Sequence, residues 1–191
     1  MKRFSLRQIL VPALSLFLIC LITTALLVGT NFLTKDQIAK QDKEKAENTR
    51  KVVLPDAAFF EQMEVDGVSE CCVGKDENGE LVGYTFVTKQ KGYSSTITVM
   101  TGVSKDEQVK GVAILSQNET PGLGANAVKD SFQSQYKQKV PGDGFSVVKN
   151  KKAGDGEIEA MTGATVSSKA VTDAVNQALF SYRAVLESKG D

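Results

Sequence analysis

The chain opens with one long apolar segment. Ile9 to Phe32 contains no charged side chain and is rich in Leu, Ile, Val, Phe and Ala. About 20 apolar residues are enough to cross the hydrocarbon core of a bilayer as a helix, so this pattern predicts a transmembrane anchor over residues 9–32. The alternative is a cleaved signal peptide, but its apolar region usually runs only about 7–15 residues. Ile19, before Cys20, is also too bulky for a lipoprotein cleavage site.

A strongly polar segment follows the anchor. Residues 35–52 intersperse acidic and basic side chains and contain neither glycine nor proline, and Pro55 comes soon afterwards. This pattern predicts a solvated helical stalk over residues 33–54. Because acids and bases are mixed, the segment does not resemble a basic lipid-binding helix.

The next section has the residue pattern of strands. Four strands are predicted, over residues 68–73, 81–88, 95–103 and 109–115. The first two flank Asp76-Glu77-Asn78-Gly79, and Asn-Gly is a strong signal for a tight hairpin turn. We therefore expect three or four antiparallel strands in this part of the chain.

The pattern then changes towards helices. A polar, glycine-rich loop leads to a short predicted helix over residues 125–136, a strand over 145–148 and a possible short strand over 157–161. From Ser167 onward, apolar residues recur at helical spacing, which predicts an amphipathic helix packed on the sheet. They are Ala170, Val171, Ala174, Ala178, Leu179, Tyr182 and Val185. The expected fold class is α+β, with one transmembrane helix, an antiparallel sheet and a packed C-terminal helix.

The distribution of charge predicts the orientation. Lys2, Arg3 and Arg7 precede the anchor with no acidic residue among them, whereas the rest of the chain carries more acids than bases. Positive residues are retained on the cytoplasmic side, so residues 1–8 are expected in the cytoplasm and a domain over residues 55–191 outside it. A mildly acidic domain also argues against nucleic-acid binding, which needs a basic surface.

Composition excludes several kinds of site. The chain has no histidine and three cysteines, so it lacks a His-based catalytic triad and the four thiolates usual for an iron–sulfur cluster. We predict neither catalytic nor metal-ligating residues. Cys71 and Cys72 are adjacent in a predicted strand, where their side chains point to opposite faces, and we interpret them as a buried structural pair. Any redox chemistry must therefore depend on an organic cofactor.

The run Thr162-Gly163-Ala164-Thr165 joins a predicted strand to the final helix. Gly163 and Ala164 have minimal side chains, so a bulky group can approach the backbone there. We expect Thr165 just ahead of the helix, with Ser167 or Ser168 as its N-cap. A helix start offers unpaired N–H groups, which suit a phosphate. Taken alone, the run is far more typical of threonine and serine residues that merely cap a helix.

A second run, Glu119-Thr120-Pro121-Gly122-Leu123-Gly124, places two glycines and a proline around a single leucine. Such a loop holds an unusual backbone path and presents Leu123 instead of burying it. In isolation it is also compatible with an ordinary turn-rich loop.

Together, the two runs resemble the FMN-binding domain of the G subunit of the Rnf electron-transport complex. A more distant resemblance is to the C subunit of the Na⁺-translocating NADH:quinone reductase. The similarity covers nearly the whole chain: the basic N-terminus, the anchor, the charged stalk, Gly92-Tyr93, the run at 119–124 and the run at 162–165.

This resemblance implies a covalent flavin. In the family a flavin transferase cleaves FAD and joins the FMN phosphate to the last threonine of the second run, which is Thr165 here. Thr162, Gly163 and Ala164 would then form the recognition context. The residues expected to line the flavin are Glu119, Thr120, Gly122, Leu123 and Gly124.

The chain departs from the family pattern at two places. Glu159 stands where the family usually has aspartate, which bears on the efficiency of the transferase. Gln117-Asn118 stands where a histidine is often found, which bears on flavin tuning or a partner contact.

The resemblance also implies a role. The chain would relay electrons in a complex that moves them between ferredoxin and NAD⁺, while other subunits transport Na⁺ or H⁺. Its span holds no Asp, Glu, Lys, Arg or His, so we expect no ion path in it. Two alternatives remain: an extracytosolic flavoprotein of another redox system, and a non-redox, membrane-tethered binding module.

Overall fold

The first helix is the longest element of the chain. A computed structural model describes residues 6–65 and 68–189, and the chain divides into two compact units, residues 1–44 and 45–191. α1 (Leu6–Val53) runs without interruption through Pro12, which lies in its second turn, near the start, where proline is best tolerated.

Within the first unit, α1 has the length and composition of a membrane-crossing helix. Its most apolar 18-residue window has a mean hydropathy of 2.5, and none of that window is buried within the protein. Its hydroxyls bond to their own helix: Thr23 donates to the Ile19 carbonyl at 2.9 Å, and Thr30 to that of Leu26 at 2.8 Å. Polar groups in an apolar helix are satisfied in this way. These features suggest a membrane anchor.

The second unit is built on a five-stranded antiparallel sheet in which neighbouring strands are consecutive in the chain. The strands are β1 (Phe59–Met63), β2 (Glu70–Lys75), β3 (Leu81–Lys91), β4 (Thr96–Ser104) and β5 (Val109–Ser116). The four predicted strands are confirmed. Asp76 also forms the predicted turn, since its carboxylate accepts from the Asn78 and Glu80 amides at 2.8 and 2.9 Å. β1 was not predicted, because its largely exposed residues do not alternate.

The C-terminal helix α3 (Thr165–Lys189) covers one face of this sheet. All seven of its predicted apolar positions are buried. Hydrogen bonds fix its position: the Thr88 hydroxyl donates to the Ala174 carbonyl at 2.9 Å, and the Tyr182 hydroxyl to that of Ser104 at 3.1 Å. The fold class is α+β, as predicted.

The short helix predicted over residues 125–136 is wrong as a continuous element. The chain forms a 3₁₀ turn (Gly124–Val128), a single α-turn, α2 (Asp130–Gln133), and a second 3₁₀ turn (Ser134–Tyr136), with Lys129 extended at ψ 139°. Ala127 and Phe132 are both buried. In a straight helix, residues five apart point about 140° from each other, and the break at Lys129 lets both side chains face the core.

Two further strands precede α3. β6 (Ser146–Val148) and β7 (Glu157–Glu159) confirm the predicted strands in shortened form, but they pair in parallel as a separate two-stranded sheet. β7 leads directly to the run at 162–165.

The last turns of α1 belong to the second unit and pack on the other face of the sheet. Val53 is 1% exposed and joins a small cluster with Val87 and Met100. It fits closely because Gly102 and Gly111, paired across β4 and β5, leave no side chain beneath it.

The two adjacent cysteines of β2 are both buried and are not joined to each other by a disulfide. Cys71 lies in the main core with α3. Cys72 lies beside Glu70, which forms an ion pair with Arg50 of α1. The predicted placement of the pair is confirmed.

Candidate functional site

A cavity of about 430 Å³ opens where three segments of the second unit meet. These segments are the β3–β4 loop, the loop that follows β5, and the start of α3. The lining residues are Tyr93, Glu119, Thr120, Leu123, Gly124, Gly163, Ala164, Thr165, Val166 and Ser167. Its volume is within the usual range for a small-molecule site, about 300–1,000 Å³.

Glu119 holds the three segments together. The residue is 5% exposed, and its carboxylate accepts hydrogen bonds from the Tyr93, Ser94 and Ser95 amides at 3.1, 3.0 and 2.9 Å. The Ser95 hydroxyl donates to it at 3.2 Å, and the Ser167 hydroxyl of α3 at 2.5 Å. Since a buried charge is costly unless it is hydrogen-bonded, this donor set is what allows the carboxylate to be buried.

The donors also keep Glu119 ionised. Burial acts to raise the pKa of its carboxyl group. The hydrogen bonds from the Ser167 hydroxyl and from the Ser95, Ser94 and Tyr93 amides outweigh that effect and lower the pKa to about 2. The group is therefore a fixed negative charge at neutral pH and has no role as a proton donor.

Two glycines allow this carboxylate to approach the backbone. A Cβ atom at Gly92 would lie 2.7 Å from Glu119 Oε1, and one at Gly124 would lie 2.8 Å from Glu119 Oε2. Any larger residue at either position would displace the carboxylate from its donors.

The loop after β5 is ordered by bonds within itself. The Leu123 amide donates to the Thr120 carbonyl at 3.1 Å, and the Asn126 side chain donates to the Gly122 carbonyl at 2.8 Å. Gly122 has φ +79°, which favours glycine. As the sequence predicts, Leu123 is presented at the surface, 42% exposed at the cavity wall.

The run at 162–165 forms the turn into α3. Gly163 has φ +72°. The first helical bond runs from the Ser168 amide to the Ala164 carbonyl at 2.9 Å, so α3 begins at Thr165. The prediction that Thr165 precedes the helix, with Ser167 or Ser168 as N-cap, is therefore wrong.

Both serines lie inside the first turn, where their hydroxyls have other partners. Ser167 donates to Glu119, whereas Ser168 accepts from the Met161 amide and donates to the Ala164 carbonyl, both at 2.9 Å. Ser168 thus shapes the turn that precedes the helix.

The start of α3 offers donors to the cavity. The amides of Thr165, Val166 and Ser167 are the first three of the helix and have no acceptor within it. Together with the positive end of the helix dipole they favour an anion. Thr165 is half-buried at this position.

Seven of the nine residues singled out from the sequence meet at the cavity: Glu119, Thr120, Leu123, Gly124, Gly163, Ala164 and Thr165. Gly122 and Thr162 are exposed and do not line it. Sequence reasoning missed Tyr93, Val166 and Ser167 as lining residues. Only Tyr93 had a signal, since it follows a glycine next to a strand.

Comparison with known proteins matches most of the chain. Residues 92–180 match the model of the FMN-binding domain, and residues 1–53 match the model of the RnfG N-terminal region. The G subunit of the Na⁺-translocating ferredoxin:NAD⁺ oxidoreductase complex of Acetobacterium woodii is 36% identical over 187 residues, covering 89% of each chain.

Two further relatives show similar coverage. The G subunit of the proton-translocating ferredoxin:NAD⁺ oxidoreductase complex of Clostridium ljungdahlii is 36% identical and covers 86% of each chain. The G subunit of the ion-translocating oxidoreductase complex of Methanosarcina acetivorans is 33% identical, and the match covers 91% of this chain and 94% of that one.

Among solved structures, the crystal structure of Shewanella oneidensis NqrC matches with a TM-score of 0.50 and 24% identity. The match covers 63% of this chain and 64% of that one, slightly less than two thirds of its length. This likeness supports the fold alone.

Proposed function

The chain belongs to the family of G subunits of Rnf-type ion-translocating oxidoreductase complexes, and we propose that it carries a covalently bound FMN in such a complex. The attachment point is Thr165, through the flavin phosphate. The observation that carries this proposal is the convergence of Thr165, Leu123 and Gly163 on one cavity at the start of α3.

The residues of the cavity fit an FMN. Leu123, Val166 and Tyr93 provide apolar and aromatic surface for a ring system, and Gly163 leaves the backbone accessible. The free amides at the start of α3 suit a phosphate joined to Thr165. Glu119 does not oppose that phosphate with an unbalanced charge, because its carboxylate is saturated by donors from the chain.

Attachment requires a transferase that uses FAD. The Thr165 hydroxyl oxygen bonds to the phosphorus of the FMN half while the bond between the two phosphates of FAD breaks. AMP leaves with the bridging oxygen, and the hydroxyl proton is released. Thr162 lies outside the cavity, which supports Thr165 as the acceptor.

Bound FMN supplies one- and two-electron transfer. The chain itself contributes orientation, hydrogen bonds and exclusion of water around the ring. We propose that it relays electrons within a ferredoxin:NAD⁺ oxidoreductase. Because its span holds no Asp, Glu, Lys, Arg or His, we assign the ion path to other subunits.

We also propose that the N-terminus is cytoplasmic and the flavin domain extracytoplasmic, since Lys2, Arg3 and Arg7 precede the anchor. A cofactor that is covalently joined is not lost from that compartment. Protease added outside intact cells should cleave the domain, and protection of the domain would contradict this orientation.

Mass spectrometry of the peptide that spans Thr165 tests the attachment. The chain is co-expressed with a flavin transferase, purified and denatured, and yellow fluorescence should remain with the polypeptide. Thr165→Ala should abolish both the fluorescence and the added mass. Ser146→Ala, which removes an exposed hydroxyl of β6 outside the cavity, is the control and should retain both. A flavin retained by Thr165→Ala would overturn the proposal.

A further inference from the structure

Tyr93 stands at the cavity although no helix or strand holds it. It lies in the loop between β3 and β4, it is 74% exposed, and it is among the residues that line the cavity. Single exposed aromatic residues are common on protein surfaces, so the exposure of Tyr93 alone does not indicate a functional role. What distinguishes Tyr93 is how firmly its backbone is fixed.

The loop that presents Tyr93 is bound to a buried charge. Three consecutive amides, those of Tyr93, Ser94 and Ser95, donate to the Glu119 carboxylate at 3.1, 3.0 and 2.9 Å. The Gly92 amide closes the turn on the Ser95 carbonyl at 2.8 Å. A loop that only joins two strands needs no buried carboxylate, because short hairpin connections are satisfied by their own turn bonds.

The same carboxylate ties the loop to the helix that begins at Thr165. Ser167, two residues further along, donates its hydroxyl to Glu119 Oε2 at 2.5 Å. The position of Tyr93 relative to Thr165 is therefore fixed through one side chain. Glu119 accepts hydrogen bonds from both sides of the cavity, and neither of its carboxylate oxygens is left unbonded for a ligand.

From this arrangement we infer that Tyr93 is a flavin-contacting residue and that Glu119 is the positioning residue that holds it against the ring. The inference rests on the proposed flavin at Thr165. An aromatic side chain packs favourably on another planar ring system in an offset or edge-to-face arrangement. With Leu123 and Val166, Tyr93 would complete the contact surface for the ring.

Flavin fluorescence tests the contact. A tyrosine in contact with a flavin quenches its emission, because the phenol donates an electron to the excited ring. In full-length chain co-expressed with a flavin transferase, native emission should be well below that of the same sample after denaturation. Tyr93→Ala should raise native emission towards the denatured level, with the flavin mass unchanged. Tyr93→Phe, which packs but is a poor electron donor, should also raise it.

Ser94→Ala is the matched control, because it removes an exposed side chain of the same loop and leaves the Ser94 amide bonded to Glu119. Its emission should equal that of the native chain. Unchanged emission in Tyr93→Ala, with flavin present, overturns the inference and leaves the proposed function intact. Absence of flavin from the unmodified chain instead overturns the proposed function.

Amide hydrogen exchange tests the role of Glu119 without any flavin. In a Thr165→Ala background, Glu119→Gln should make the amides of residues 93–95 exchange about tenfold faster or more, since hydrogen bonds to a charged group are the stronger ones.

Ser167→Ala removes a single bond and keeps the carboxylate. It should leave those amides protected yet raise flavin emission in the loaded chain, because the loop is no longer tied to α3. Unchanged exchange in Glu119→Gln would refute the positioning role, as would unchanged emission in Ser167→Ala.

Discussion

Replacing Glu119 by glutamine measures how much stability depends on one carboxylate charge. Burial acts to raise the pKa of this group, but the hydrogen bonds it accepts lower the pKa to about 2, against 4.5 for an unperturbed glutamate. At about 1.4 kcal/mol for each pH unit between these values, the ionised form stabilises the fold by about 3 kcal/mol relative to the protonated form.

The sign of the pH dependence follows from the lowered pKa. The unfolded chain binds the proton first as the pH falls, so the stabilisation is complete above about pH 5 and is lost between about pH 4.5 and pH 2. Glutamine has no charge to lose. The free energy of unfolding of Glu119→Gln should therefore lie about 3 kcal/mol below that of the native chain at pH 7, and about 1.5 kcal/mol below it at pH 3.

Urea unfolding of the full-length chain in detergent, followed by far-UV circular dichroism at pH 7, 5 and 3, provides the measurement. Glu77→Gln is the matched control, because Glu77 is exposed in the β2–β3 turn and surface substitutions usually change stability by less than about 0.5 kcal/mol. A difference between native chain and Glu119→Gln that is the same at pH 7 and pH 3 would refute the reasoning. It would mean that the shape of the side chain matters and its charge does not.

Two further substitutions test the packing around the sheet. In Gly102→Ala the new Cβ would lie 2.7 Å from the Val53 carbonyl carbon, and this overpacking should cost about 2 kcal/mol and lower Tm by roughly 4–8 °C. In the control Gly142→Ala the new Cβ has no atom within 4 Å, so Tm should not change. Equal Tm values for the two variants would contradict the close approach of Val53 to Gly102. Tyr136→Phe removes the buried hydroxyl that lies 2.7 Å from the Thr172 hydroxyl. Loss of this hydrogen bond should lower the free energy of unfolding, measured in urea, by about 1 kcal/mol. A free energy equal to that of the native chain would show that this bond contributes nothing.

Much of the fold follows from the spacing of apolar residues. α3 buries one face, which imposes a period of about 3.6 on its apolar residues. β3 and β4 are buried on both faces over most of their length, so each is marked by a run of apolar and β-branched residues between turns. β1 has neither signal, because it is an edge strand whose residues are mostly exposed. The break at Lys129 was equally hidden, since the need to bury Ala127 and Phe132 together arises only from the tertiary structure.

The candidate site likewise combines features that the local sequence predicts with features that arise only from the tertiary structure. The run at 162–165 and the loop at 119–124 are local features, so turn chemistry and family resemblance suffice to identify them. Tyr93 and Ser167 were missed because Glu119 recruits them from 26 residues before it and 48 residues after it. No local pattern encodes a hydrogen bond over such a separation. The misplaced N-cap has the same cause, since the Ser167 hydroxyl serves Glu119 instead of the helix end.

A buried carboxylate beside a proposed phosphate site raises the question of how two negative groups coexist. Like charges at short range destabilise each other unless each has its own compensating donors. Glu119 takes its amide donors from the β3–β4 loop and only a hydroxyl from Ser167. The first amides of α3 are thereby left for the phosphate that we propose on Thr165. If one set of donors served both groups, attachment of the flavin would weaken the hydrogen bonds to Glu119 and speed amide exchange at residues 93–95. Separate sets of donors predict instead that these amides are equally protected in the flavin-loaded chain and in Thr165→Ala, apart from any amide that the ring itself covers.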